Sequence, residues 1–146
     1  MEEGLAEINA VAGVRGSFIC DNRGGMVASA APAGVSEAML SNIGRSVTQT
    51  MAALKAAGDA KSELDFAYDK TRLVAHDLEK AVLVVLCEPE VEIAMLRLTL
   101  SVVMARLKGD TETQSRLEAR AEEKEVVQDE VDEISWHLLE VLKEGR

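Results

Sequence analysis

The chain has 146 residues, enough for one domain, and 47% of them are hydrophobic, too many for a disordered chain. Sixteen Lys and Arg against 26 Asp and Glu leave a net charge of −10, which argues against a general phosphate-backbone or anionic-membrane binder. Aromatics at 3% are too few for a base-stacking platform. Along the chain, Gly4–Ala12 places Leu5, Ile8 and Ala12 on a short helical face. Ser17–Cys20 is strand-like, Asp21–Gly25 has the residues of a hairpin turn, and Met26–Ala31 supplies the returning strand. Ser36–Ala57 is the longest predicted helix, with Ser36 as N-cap. Its stripe is Met39, Ile43, Val47, Met51 and Leu54, widened by Leu40, with the small residues Gly44, Ser46 and Thr48 beside it.

Three strands are predicted next: Leu64–Tyr68, Thr71–Leu78 and Ala81–Leu86, with turns at Asp69-Lys70 and Glu79-Lys80. In the second, Arg72, Val74, His76 and Leu78 share one side, and Leu73, Ala75 and Asp77 the other. The third is continuously apolar, as in a central strand buried on both faces. A helix follows, expected to start at Pro89 with Glu90 and Glu92 in its first turn, and carried by Ile93, Leu96, Leu100, Val103 and Leu107. A strand-like alternation of Leu96, Leu98, Leu100 and Val102 competes with this pattern; the length of the run favours helix.

Charge density rises sharply near the end. Residues 106–146 carry 7 bases and 12 acids, half of the net charge in 41 residues. Lys108-Gly109-Asp110 therefore reads as a boundary between a domain over 1–108 and an amphipathic helical extension over 109–146. There Val127, Val131, Ile134, Leu138 and Val141 step by 4, 3, 4 and 3, a seam of about two heptads. Upstream the register falls on Lys124, Arg120 and Leu117, and the seam weakens.

No phosphate-binding glycine motif, no His-Glu-x-x-His and no Cys-x-x-Cys is present, so neither a nucleotide cofactor nor a dedicated metal is expected. Cys20 and Cys87 sit in apolar runs and are expected to be free buried thiols, as in a reducing cytosol. Neither has a cation or helix start beside it to activate a thiolate. His76 reads as a structural histidine and His137 as a solvated or interface one. The longest stretch without a charged residue, Gly24–Ser36, is 13 residues, short of the roughly 18 needed to span a bilayer. With no cationic, apolar leader at its start, the chain is expected to be soluble and cytoplasmic.

The order of elements, with certain motifs, resembles the roadblock / dynein light chain family over residues 3–107. Leu5–Ser17 is similar to the family's opening, Asp21-Asn22-Arg23-Gly24-Gly25-Met26-Val27 to its first hairpin, and Arg72–Leu78 with Ala81–Leu86 to its last two strands. The resemblance implies an α+β fold, a five-stranded antiparallel sheet between one long helix and the terminal helices. It also implies a homodimer, in which third strands pair at the sheet edge and long helices pack together. Mapped here, that interface comprises Leu40, Ile43, Gly44, Val47, Met51, Leu64, Phe66 and Tyr68. An unprotected edge strand also seeks a partner on physical grounds.

Family members are non-enzymatic partners of small Ras-like GTPases, and the prokaryotic MglB-type members, which this sequence resembles, act as GTPase-activating partners. The resemblance thus implies a regulator that repositions the GTPase's own groups or stabilises its closed state. An arginine supplied in trans is the sharper version, with Arg23, Arg45 and Arg72 as candidates. The rival readings are a structural adaptor without effect on hydrolysis and a small-ligand sensor on a profilin-like scaffold.

Overall fold

The computed structural model describes residues 1–31, 34–68 and 70–120. Its elements are α1 (Glu2–Asn9), β1 (Val14–Asp21), β2 (Met26–Ala30), α2 (Glu37–Ala56), β3 (Glu63–Tyr68), β4 (Thr71–Asp77), β5 (Ala81–Cys87) and α3 (Ile93–Gly109). Residues 111–120 are helical as well. The strands form one antiparallel sheet in the order β2-β1-β5-β4-β3. The apolar run of β5 lies in the middle, and all seven of its residues are buried.

Strand alternation divides the core in two. Leu83, Val85 and Cys87 join Ile19 and Val74 beneath α1 and α3. Val82, Val84 and Leu86 join Phe18, Cys20, Leu73 and Ala75 beneath α2. On the first side, Leu5 and Ile8 of α1 and Leu96 and Leu100 of α3 are fully buried. Asn9 ties this layer to the sheet: its Nδ2 donates to the Ala30 carbonyl at 2.8 Å, and its Oδ1 accepts from Ser17 Oγ at 2.8 Å. Two polar positions of the Leu5–Ser17 motif thus have a structural job.

In α2 the Ser36 hydroxyl caps the helix by accepting from the Met39 amide at 3.2 Å. The residues facing the sheet are Leu40, Gly44, Val47 and Thr48. The expected stripe is rotated, because Met39 points outward and is 54% exposed. Gly44 explains the rotation: a Cβ there would meet Cys20 Sγ at 3.2 Å and Phe18 Cε2 at 3.4 Å, so the helix lies closest to the sheet along this line.

Helix α3 begins at Ile93 with Glu92 at its N-cap, and Pro89 and Glu90 sit in a preceding turn rather than in the helix. Its inward line is Leu96, Leu100, Val103 and Leu107. Met95, Leu98 and Val102 face out, and the strand-like alternation in the sequence arose because outward Leu98 and Val102 interleave with inward Leu96 and Leu100.

Past α3, Thr113 and Leu117 are 3% and 2% exposed, and Leu117 belongs to the core beneath α1 and α3. Gln114 Nε2 donates to the Leu107 carbonyl at 3.0 Å. The first turns of the expected extension are therefore built into the domain. The seam from Val127 to Val141, and His137, lie outside the described residues.

Candidate functional site

β3 is the outer strand of the sheet and pairs with β4 alone among the described residues. Leu64 and Phe66 stand opposite Ala75 and Leu73, so they share the α2 side. Leu64 is half-buried, while Phe66 remains 41% exposed. Tyr68 closes the strand. Ile43 and Met51 are half-buried against the same core cluster. Leu40 and Val47, at 3% and 2% exposure, and Gly44 are already consumed against the sheet of their own chain. A surface built from α2 and β3 thus offers Phe66, Met39 and parts of Ile43 and Met51 to a partner, not Leu40, Gly44 or Val47.

The three candidate arginines separate. Arg23 lies in the β1–β2 turn and Arg45 on the exposed side of α2. The turn is pressed against α2, since a Cβ at Gly24 would lie 2.7 Å from Arg45 Cα. These two arginines are therefore brought to one place beside α2. Arg72 lies across the sheet, on the α3 side. Its Nε and Nη2 donate to both oxygens of Asp65 at 2.9 and 2.7 Å, a bidentate pair that commits the guanidinium to a structural role. The Arg72 hydrogen bonds hold the Asp65 carboxyl below the usual range.

That pair is part of a charged cluster over β3 and β4. Arg97 Nη2 of α3 lies 3.1 Å from Glu63 Oε1 and 3.6 Å from Asp65 Oδ2. His76 Nε2 is 3.6 Å from Glu63 Oε2 and makes no hydrogen bond among the described residues. Burial pushes the His76 pKa down, opposed by the Glu63 charge and assisted by Arg97 and Lys108. The expected structural histidine is thus buried, but short of a full hydrogen bond to its neighbour.

Cys20 and Cys87 are buried and not joined in a disulfide. Burial raises the Cys87 thiol to about 11, the opposite of what a nucleophile requires. Among the described residues no cluster of three His, Cys, Asp or Glu could hold a metal, and no helix is long and apolar enough to cross a membrane. A cavity of about 190 Å³ opens between the end of α2 and the sheet, edged by Thr48, Met51, Lys55, Lys61, Asp77 and Glu79. It falls below the roughly 300 Å³ at which small-molecule sites usually begin.

Sequence reasoning read Asp21 as a residue of the hairpin turn but missed its partner from the end of the chain. This buried carboxylate accepts from the amides of Arg23 and Gly25 at 2.9 and 3.0 Å, which shapes the hairpin turn. Its other oxygen accepts from Arg120 at 3.1 Å. Arg116 Nη2 donates to the Val27 carbonyl at 2.8 Å, and Lys80 pairs with Glu118. Arg120, which weakened the heptad seam, thus joins Arg116 in fastening residues 111–120 to the hairpin.

No protein-family model and no curated protein matches the sequence. Solved structures do match it in shape. A roadblock/LC7 domain from Streptomyces avermitilis superposes with a TM-score of 0.63 at 13% identity, over 75% of this chain and 95% of that one. An MglB in a tetrameric arrangement gives 0.64 at 18% identity, over 73% and 83%. The gliding protein MglB of Thermus thermophilus gives 0.63 at 18%, over 73% and 84%. The long helix on one face, the terminal helices on the other and the strand order between them identify this chain's fold as that of the roadblock/LC7 domains.

Proposed function

We propose that the protein is a homodimeric, non-enzymatic regulator that binds a small Ras-like GTPase and changes its rate of GTP hydrolysis. The observation that carries this reading is the edge of β3, open among the described residues, with Phe66 exposed on the α2 side of a roadblock sheet. An unpaired edge next to apolar surface is what a second copy would cover. The likeness to MglB structures supports a GTPase as the further partner. Arg23 and Arg45, beside each other near α2, are the arginines we assign to the GTPase-facing side, while Arg72 is withdrawn by its pair with Asp65. Regulation would act on the GTPase's own catalytic groups, whose charge stabilisation depends on oriented donors.

The test is single-turnover GTP hydrolysis by a Ras-like GTPase of the same genome, with and without the protein at micromolar concentration. A rate change of about tenfold or more, within the range that supplied transition-state contacts give, supports regulation. Binding that ignores nucleotide state and leaves the rate unchanged would establish the adaptor reading instead.

A further inference from the structure

Helix α3 has two apolar sides, and only one is covered among the described residues. Leu96, Leu100, Val103 and Leu107 are buried, yet Met95, Leu98 and Val102 on the outward side are 51%, 61% and 51% exposed. These three step by 3 and 4, a stripe suited to packing another helix. The helix is also distinctive in charge. In a chain of net charge −10, Ile93–Gly109 contains Arg97, Arg106 and Lys108 and no acid. Arg97 and Arg106 pair with Glu63 and Glu7 but remain about half exposed, at 52% and 54%.

We propose that this outward face of α3 is the docking surface for the acidic segment 127–141 of the same chain. Three observations select that occupant. Its apolar residues Val127, Val131, Ile134, Leu138 and Val141 repeat with the same alternating steps of 3 and 4. Between them lie Asp129, Glu130, Asp132, Glu133 and Glu140, five acids and no base, against the three bases and no acid of α3. Third, the segment is tethered close by. Gln114 is hydrogen-bonded to the last turns of α3, Arg120 is fixed to Asp21, and only residues 121–126 separate that anchor from Val127. Six residues extend to about 20 Å, and such a tether gives an effective concentration on the order of millimolar.

A seam of two heptads is marginal as a free helix and needs a surface to fold against. The competing occupant is α3 of a second copy, which would bring three further bases and no acid to a helix that already holds Arg97, Arg106 and Lys108. The proposal is independent of any GTPase and does not use the β3 edge.

The test uses the full chain carrying Leu98→Cys and Ile134→Cys, the centres of the two stripes, with the buried Cys20 and Cys87 retained. Mild oxidation should form a disulfide within single chains. A control pairing Leu98→Cys with Asp129→Cys, off the seam in helical register, should react at least about tenfold more slowly, as burial of one leucine side chain implies. Equal rates for both pairs, or links formed only between chains, would overturn the proposal. In a second measurement, hydrogen exchange over 127–141 should be protected in the natural chain. Leu98→Asp should speed it at least about tenfold while β5 stays protected, which shows that the fold survives. Absence of protection in the natural chain would also overturn the proposal.

Discussion

The two faces of the sheet are finished to different degrees. The face under α1 and α3 is covered by two helices and by residues 111–120, and its rim is closed by polar contacts. Glu63 and Asp65 of β3 engage Arg72 and Arg97 there. Among the described residues the other face has α2 alone, and β3 presents Leu64 and Phe66 to that side, with Phe66 left substantially in water. The charged side of β3 is satisfied within the chain, whereas its apolar side is not. A strand edge whose charged side is paired and whose apolar side is open directs assembly to the apolar side.

The largest expected effect separates core from surface on α2. Val47→Asp places an unpaired charge between the helix and its own sheet and should cost about 3–5 kcal/mol, read by urea unfolding. Gln49→Asp, at an exposed position of the same helix outside that surface, should cost less than about 0.5 kcal/mol. Equal losses would erase the distinction between the two sides of α2. Next in size is Gly24→Ala in the hairpin. That residue has φ +86°, and its new Cβ would run into Arg45 backbone, so about 2 kcal/mol should be lost. Arg120→Ala removes a charged partner of Asp21 and should cost about 1 kcal/mol. It should also raise exchange at the amides of 113–117 before that of β5, if those residues are fastened as described.

The smallest effect is a pH dependence confined to the α3 side. Burial lowers the His76 pKa, so the unfolded chain binds a proton more readily than the folded one. The contribution of the neutral ring is complete above the ordinary histidine value of 6.5 and is lost as pH falls below it toward the lowered folded value. His76→Gln should flatten this acid slope, measured as stability between pH 7 and 5. An unchanged slope would assign the acid sensitivity to the carboxylates instead.

Much of the fold was legible because its signals are local. The apolar run of β5, the Asp21–Gly25 turn and the Ser36 cap each state their structure within a few residues. The rotation of α2 was not legible, because it depends on which strand residues meet Gly44, a contact separated by more than twenty positions. Arg120 looked like an interruption of a coiled-coil register and Arg116 drew no reading at all, since a periodicity search values only apolar residues. Their partners, the Val27 carbonyl and Asp21, lie about ninety positions earlier. Arg72 shows the same limit: its sequence neighbours do not disclose that Asp65 claims both sides of its fork.

The claim that the α2 and β3 face is completed by a second copy is tested most directly by sedimentation equilibrium at micromolar concentration. The natural chain should sediment at twice its mass of 15.7 kDa, and Phe66→Asp at a single mass with its native circular dichroism spectrum kept. A monomeric natural chain, or a dimer indifferent to Phe66→Asp, would contradict the account.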